Sequence, residues 1–433
     1  MLIRTNLKTI LTISVLHLCI CSAGLADKVI YVDDDANGLN NGTSWQNAYK
    51  FLQDALWNAK ASDKPVEIRV AQGIYRPGDR SSSVWVTFIL ENGVAIKGGY
   101  AGWGQPDPNA RDVAVYKTIL SGDLAGNDVD VEDPCDLLYE PTREENSWHV
   151  IVSWGTDQTA VLDGFTITGG NYSVIDIVGR GGGGGMAIGE AARPTISNCT
   201  FVRNASRDMG GGMHIARGSM PVVTNCVFTQ NYAWAGGGIS NYSYKGYSRP
   251  TVANCTIADN DAPYGPAMAC DSDHRLYPTT VTMVNCIARN GPNWLWNNDR
   301  STINVTYSDV QGGWPGVGNI NADPCFADPN NGDYHLKSQA GRWDANEGRW
   351  MIDEVTSLCI DAGDPASPIG LEPFPNGGII NMGAYGGTAE ASKSYFGKPV
   401  CETIVAGDIN GDCKVDFRDF ALIAFHWLED NSP

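Results

Sequence analysis

The chain has 433 residues, 42% of them hydrophobic and only 18% charged, which excludes a disordered polyelectrolyte and leaves room for one long domain and a small one. Its formal net charge of −19 repels phosphate backbones, so nucleic acid is excluded as a natural partner, while cations and neutral ligands are not. Fifty glycines recur at intervals rather than in one tract and so act as structural punctuation.

Residues 1–26 read as a signal peptide. Arg4 and Lys8 supply the positive start, Ile10 to Ile20 the apolar stretch, and Ala23 or Ala26 the small residue before cleavage. The apolar run is short for a membrane span, and no transmembrane span is expected in the mature chain. Export is therefore expected, to the medium or the cell surface. Residues 44–59 follow as a capping helix, with Ser44 as its N-cap and Phe51, Leu52, Ala55 and Leu56 on one apolar face.

From residue 66 onward short β-rich runs recur, each soon followed by glycine: Glu67 to Val70, Val94 to Ile96, Thr118 to Leu120, Val150 to Val152 and Ala160 to Ile167. Four clearer repeats come next, beginning at Pro194, Pro221, Pro250 and Val281. Each carries an Asn-Cys pair, and the cysteines 199, 226, 255 and 286 are spaced 27, 29 and 31 residues apart. A fixed period in this range means stacked units. Within a unit the alternation is two-fold: Ile196, Cys199 and Phe201 point inward, Thr195, Ser197, Thr200 and Val202 outward. Strands that recur once per turn of the chain stack in parallel, so like residues lie above like. Asn198, Asn225, Asn254 and Asn285 should form an amide ladder at one corner, and the four cysteines a ladder of buried free thiols behind it. Over 66–330 this spacing predicts nine to eleven coils.

The glycine runs before aliphatic strands and the Phe-x-x-Asn motif (Phe201 to Asn204, Phe228 to Asn231) resemble the repeats of bacterial polymorphic outer-membrane proteins and related exported β-helix proteins. Tyr31 to Asp35, Gly42 to Trp45 and Val161 to Gly169 are similar to the same group. The resemblance implies an all-β chain with a pectate-lyase-like fold: a right-handed parallel β-helix over 27–330, closed at its C-terminal end by 331–400. It does not select an activity, because that fold carries lyases, glycosidases, adhesins and inert stalks. Cys325 and Cys359 are candidates for pairing that sequence alone cannot assign.

Residues 401–433 differ in kind. Asp408, Asn410, Asp412, Asp416 and Asp419 stand at positions 1, 3, 5, 9 and 12 of a loop, with the Lys414 carbonyl at position 7, a spacing that wraps oxygens around one calcium ion. A helix with Phe420, Ile423, Ala424 and Trp427 on one face follows. This resembles one repeat of a type I dockerin and implies a calcium-binding tail that docks to a cohesin-like or other surface protein. The family carries two repeats where this chain has one. Cys413 replaces the loop glycine, and a Cys401–Cys413 disulfide is a possible brace. Asp33, Asp35 and Asn37 begin a similar pattern, but Ser44 stands where its last ligand should be.

For chemistry, the outward positions of the clear coils (Ala187, His214, Ser240, Ala269 on one strand; Thr200, Val202, Val227, Thr229, Thr256 and Ala258 on the others) offer no carboxylate pair. The loops are richer. Arg203, Arg207 and Asp208 follow one coil, and Asp271, Asp273, His274 and Arg275, the candidate catalytic set, follow another. Trp234, Tyr242, Tyr244 and Tyr247 are the candidate sugar-stacking residues. The expected function is glycan or protein binding at a polysaccharide or cell surface. The alternatives are a polysaccharide lyase or glycoside hydrolase with loop-borne residues, and a passive stalk.

Overall fold

The computed structural model describes residues 28–174, 181–272, 276–289 and 294–397, together with Val415, Phe417 and Phe420. The signal segment, Asp273, His274 and Arg275, the Cys401–Cys413 pair and the loop donors Asp408, Asn410, Asp412, Lys414, Asp416 and Asp419 lie outside the described residues.

Short strands with two-fold alternation wind into a parallel β-helix. Among the described residues sheet A has nine strands, from Lys28–Val32 to Thr302–Thr306. Sheet B has eight, from Gly73–Tyr75 to Asp309–Val310, and sheet C seven, from Phe88–Ile89 to Leu295–Asn297. A three-stranded sheet D is inserted between B and C in the middle coils. One coil runs Thr195–Ser197 in A, Thr200–Val202 in B, Ala205–Met209 in D and Met213–Ala216 in C. Eight of the nine sheet A strands begin at residue 66 or later, so there are fewer coils than the repeat spacing predicts. The long connections at 76–87, 101–117 and 122–150 take up chain between strands.

Register holds like above like. Ile196 lies between Leu162 and Val223, and Phe201 between Ile167 and Phe228. The Phe201 and Phe228 rings stack 4.7 Å apart with their planes nearly parallel, and both are fully buried. Cys199, Cys226, Cys255 and Cys286 are buried free thiols, as expected. Each Sγ donates to the carbonyl two residues earlier, at 3.1–3.3 Å, which gives its one polar hydrogen a partner inside the core.

The amide ladder is displaced. Asn198, Asn225, Asn254 and Asn285 do turn the A–B corner in the left-handed region, a conformation asparagine tolerates. Only Asn285 reaches its neighbour Asn254, at 3.3 Å; Asn225 donates instead to the carbonyls of Ala384 and Gly386. The continuous ladder is at the B–D corner, built by Asn204 and Asn231 of the Phe-x-x-Asn motif and by Asn260, which follows Ile257 at the same spacing. Asn204 Nδ2 donates to Asn231 Oδ1 at 3.1 Å, and Asn231 Nδ2 to Asn260 Oδ1 at 2.9 Å. Each Nδ2 also caps a strand carbonyl one coil below.

The N-terminal helix spans Leu52–Ala61, not 44–59. Ser44 caps a turn rather than a helix, accepting from the Asn47 N–H. Trp45 is held between Tyr31 and Tyr100, at 4.9 and 5.6 Å, and Tyr49 bonds to the Tyr31 backbone, so 44–50 is tied down as a loop. Leu52, Ala55, Leu56 and Ala59 are buried on the core, whereas Phe51 is 65% exposed.

The segment after 325, expected to close the C-terminal end, packs along the outer face of sheet B. Tyr334 shares a 2.5 Å hydrogen bond with Thr229 and donates to Asp259, and the Ala384 N–H donates to Thr256 Oγ1. Tyr334 and Ala384 cluster with Val227 and Ala258. The cause is the row of apolar and small outward residues on sheet B, a floor whose burial is favourable. The end itself is met by Trp314, which packs on the core beside Trp294 and donates to the Ile303 carbonyl. Cys325 and Cys359 are free thiols here.

Candidate functional site

Counting coils by their sheet A strands from Lys28–Val32, sheet B's outer face is covered in coils six to eight, at Val227–Thr229, Thr256–Ala258 and Ile287–Arg289, whereas the edge of sheet C with sheet D is not. Three aromatic rings line that edge on successive coils. Trp234 points outward from the strand Tyr232–Ala235, Tyr264 lies in the next turn, and Trp296 stands on the outer face of Leu295–Asn297. Ring centroids are 4.7 Å apart for Trp234 and Tyr264 and 5.3 Å for Tyr264 and Trp296. These spacings follow from the rise of one coil per strand, about 4.8 Å. Trp234 and Tyr264 are 46% and 40% exposed, and what sets them apart is that they are contiguous rather than scattered. Gly265, at φ +57°, is needed beneath them: a Cβ there would lie 3.0 Å from the Trp296 Cβ and 2.3 Å from the Met268 carbonyl oxygen.

Beside the ladder, the outer face of sheet C carries polar groups in register. His214 stands over Ser240 and accepts or donates at 2.7 Å through Nδ1; both are buried, so His214 is not the lone surface histidine that alternation implies. In the next outward row Ala216, Tyr242 and Asp271 are aligned. Burial pushes the Asp271 carboxyl up to about 6; the Ser272 N–H opposes this and the Asp299 carboxylate adds to it. Asp271 is the one member of the candidate catalytic set within the described residues.

The four candidate stacking residues separate. Trp234 belongs to the ladder. Tyr242 is buried in the sheet C face, and Tyr244 and Tyr247 lie on the loop from sheet C back to sheet A. There Arg217 and Lys245 sit over the Tyr244 ring at 5.2 and 5.8 Å, and Tyr247 packs edge-on against Tyr277. Tyr264 and Trp296 are the ladder residues that reading by loop missed. Their signal was periodic: positions 234, 264 and 296 are 30 and 32 residues apart, close to the coil repeat.

Asp33, Asp34 and Asp35 bring carboxylate oxygens within 4.8 Å of one another. Asp33 is committed to bracing loops, accepting from the Trp103 N–H at 2.5 Å and the Asp35 N–H at 3.0 Å. Its carboxyl is raised by burial, and that donation from Trp103 and Asp35 opposes the rise.

The family model described as right handed beta helix region matches residues 146–310, and that described as disaggregatase related matches 284–363. None of the curated proteins matches the chain. Among solved structures, Escherichia coli ybhc is similar at 13% identity over 76% of this chain and 81% of that one, with a TM-score of 0.38. Pectate lyase Pel9A is similar at 14% identity over 82% and 96%, with a TM-score of 0.37. Pectin methylesterase PemA from Erwinia chrysanthemi is similar at 10% identity over 76% and 85%, with a TM-score of 0.34. The parallel sheets and the match over 146–310 make this chain a right-handed parallel β-helix. Among the described residues no helix is long and apolar enough to cross a membrane.

Proposed function

We propose that this protein is an exported glycan-binding β-helix whose ligand is a linear, neutral polysaccharide lying along the Trp234–Tyr264–Trp296 ladder. The ladder carries the reading. Indole and phenol faces pack on the C–H faces of sugar rings, and three of them in line along the coil axis suit a chain rather than a single sugar. Asp271 beside them can accept hydrogen bonds from hydroxyls. The net charge of −19 works against a polyanionic chain. The tail at 401–433 supplies the second half of the proposal: calcium held by Asp408, Asn410, Asp412, the Lys414 carbonyl, Asp416 and Asp419, and attachment through it to a cohesin-like or other surface protein.

The test is retention of the full mature chain on immobilised neutral and acidic polysaccharides, with and without calcium. Wild type should be retained on a neutral polymer, and Trp234→Ala with Trp296→Ala should lose retention without loss of folding. Retention unchanged in the double variant would sink the reading.

A second reading, hydrolysis or lysis of the bound chain, is favoured by one observation: a carboxyl raised to about 6 at Asp271, with Asp299 close enough to affect it. A pair of carboxyl groups flanking the scissile bond is what glycoside hydrolysis requires. New reducing ends or unsaturated-sugar absorbance, abolished in Asp271→Asn, would establish it; no product from any polymer would remove it.

A further inference from the structure

At the N-terminal end of sheet B the chain leaves uncovered what it covers in coils six to eight. There a groove of about 570 Å³ lies between the start of the helix, the strand Gly73–Tyr75 and the loop at 124–126. Small-ligand sites run from about 300 to 1,000 Å³, so the space suits one or two sugar rings. Its apolar surface is Phe51, 65% exposed, and Ile74, 48% exposed. The rest of its rim is charged and balanced: Lys50 and Arg76 against Asp34 and Asp79.

Several contacts hold these groups in place. Arg76 Nε donates to the Asp123 carbonyl at 2.6 Å. Gly126, at φ +69°, makes room for the guanidinium, because a Cβ there would lie 3.0 Å from Arg76 Nη2. Asp79 Oδ1 accepts from the Ser81 N–H at 2.9 Å and the Ser81 hydroxyl at 2.6 Å, which fixes the carboxylate at the lip.

We propose that this groove is a second saccharide site, separate from the ladder and on a different face, taking the end of a neutral oligosaccharide. A pyranose has one C–H-rich face and a rim of hydroxyls that both donate and accept. Phe51 and Ile74 match the first, and alternating cations and carboxylates match the second. The balance of charge selects the ligand class. An anion would meet two carboxylates in a chain already at −19, and a cation would meet Lys50 and Arg76; a neutral polyol meets neither penalty.

The experiment is methyl NMR of the full mature chain with labelled isoleucine, titrated with cellobiose, xylobiose and mannobiose, and with digalacturonate and inorganic phosphate as anionic comparators. The Ile74 methyl should shift saturably with at least one neutral disaccharide. Phe51→Ala should weaken that binding roughly tenfold. Trp234→Ala should leave it unchanged, which separates this site from the ladder. The buried Ile68 methyl reports whether each variant is folded, and Arg76→Met, which removes the guanidinium but keeps a long side chain, is a second variant expected to weaken binding. No Ile74 shift with any neutral sugar, a shift with the anions alone, or a shift unaffected in folded Phe51→Ala and Arg76→Met would overturn the proposal.

Discussion

In coils six to eight, sheet B and the sheet C–D edge begin alike, as rows of side chains pointing away from the core, yet they meet opposite fates. On sheet B the row is Val227, Thr229, Thr256 and Ala258, and the chain lays its own Tyr334 and Ala384 over it. On the C–D edge the row is Trp234, Tyr264 and Trp296, and it stays open. Direction along a strand therefore states which residues leave the core, but not which of them meet water. In a solenoid a later segment can return along the side and convert an outer face into a second core.

The largest effect should come from breaking the cover. Tyr334→Ala removes a side chain only 2% exposed, with its hydrogen bonds to Thr229 and Asp259, and should cost about 3–5 kcal/mol in denaturant unfolding. A loss below about 1 kcal/mol would mean that the segment merely rests on sheet B. Next is the inner ladder: Asn231→Ala leaves the Asn204 backbone N–H without its acceptor and should cost about 1–3 kcal/mol by the same measurement.

A smaller effect should come from pH, acting on the cover and not on the ladder. Burial opposes protonation of His335, but hydrogen bonds to Asp333 at 2.6 Å and Glu390 at 3.2 Å outweigh it and hold its pKa above the ordinary value. That stabilisation is complete below about pH 6.5 and is lost as pH rises through the raised value. Glu372 acts in the same direction. Burial lifts its carboxyl from 4.5 to about 7, against donation from the Asn381 and Gly387 N–H groups. Its contribution is present below pH 4.5 and is lost as pH rises toward about 7. The cover should therefore loosen between about pH 5 and 8, seen as faster amide exchange at 381–387. Glu372→Gln should flatten that dependence. Asp333 runs the other way. Burial raises its carboxyl, but His335 and Arg342 outweigh this and leave it lowered, so its stabilisation holds above its unfolded pKa and is lost only in stronger acid.

The smallest stability effect sharpens the contrast most. Trp234→Ala should change the unfolding free energy by no more than about 0.5 kcal/mol, while weakening glycan retention roughly tenfold. A large loss of stability instead would class the ladder with the cover, as packing.

Much of this was legible. Ile196, Cys199 and Phe201 alternate inward, and the Asn-Cys pairs at spacings of 27 to 31 residues are met by parallel strands in register. The Phe-x-x-Asn motif carries the continuous amide ladder, whereas the asparagine beside each cysteine turns a corner without forming one. Trp234 was legible as a stacking candidate, although it stands on the strand Tyr232–Ala235; its partners Tyr264 and Trp296 were hidden because they lie one and two coils away, in a turn and a strand. The groove at Phe51 was not legible at all, since helical periodicity places Phe51 on the buried face. That periodicity misled because Trp45 anchors the preceding loop and delays the helix.

Repeat length, the two-fold alternation and the polar corners follow from local rules of backbone and side chain, so the order of residues alone specifies coil, core and the class of fold. Which faces stay open follows from contacts between residues more than a hundred positions apart, such as Tyr334 with Thr229 and Ala384 with Asn225. No local pattern records those contacts, because they depend on where a later segment finds the most apolar surface to bury once the coils have formed.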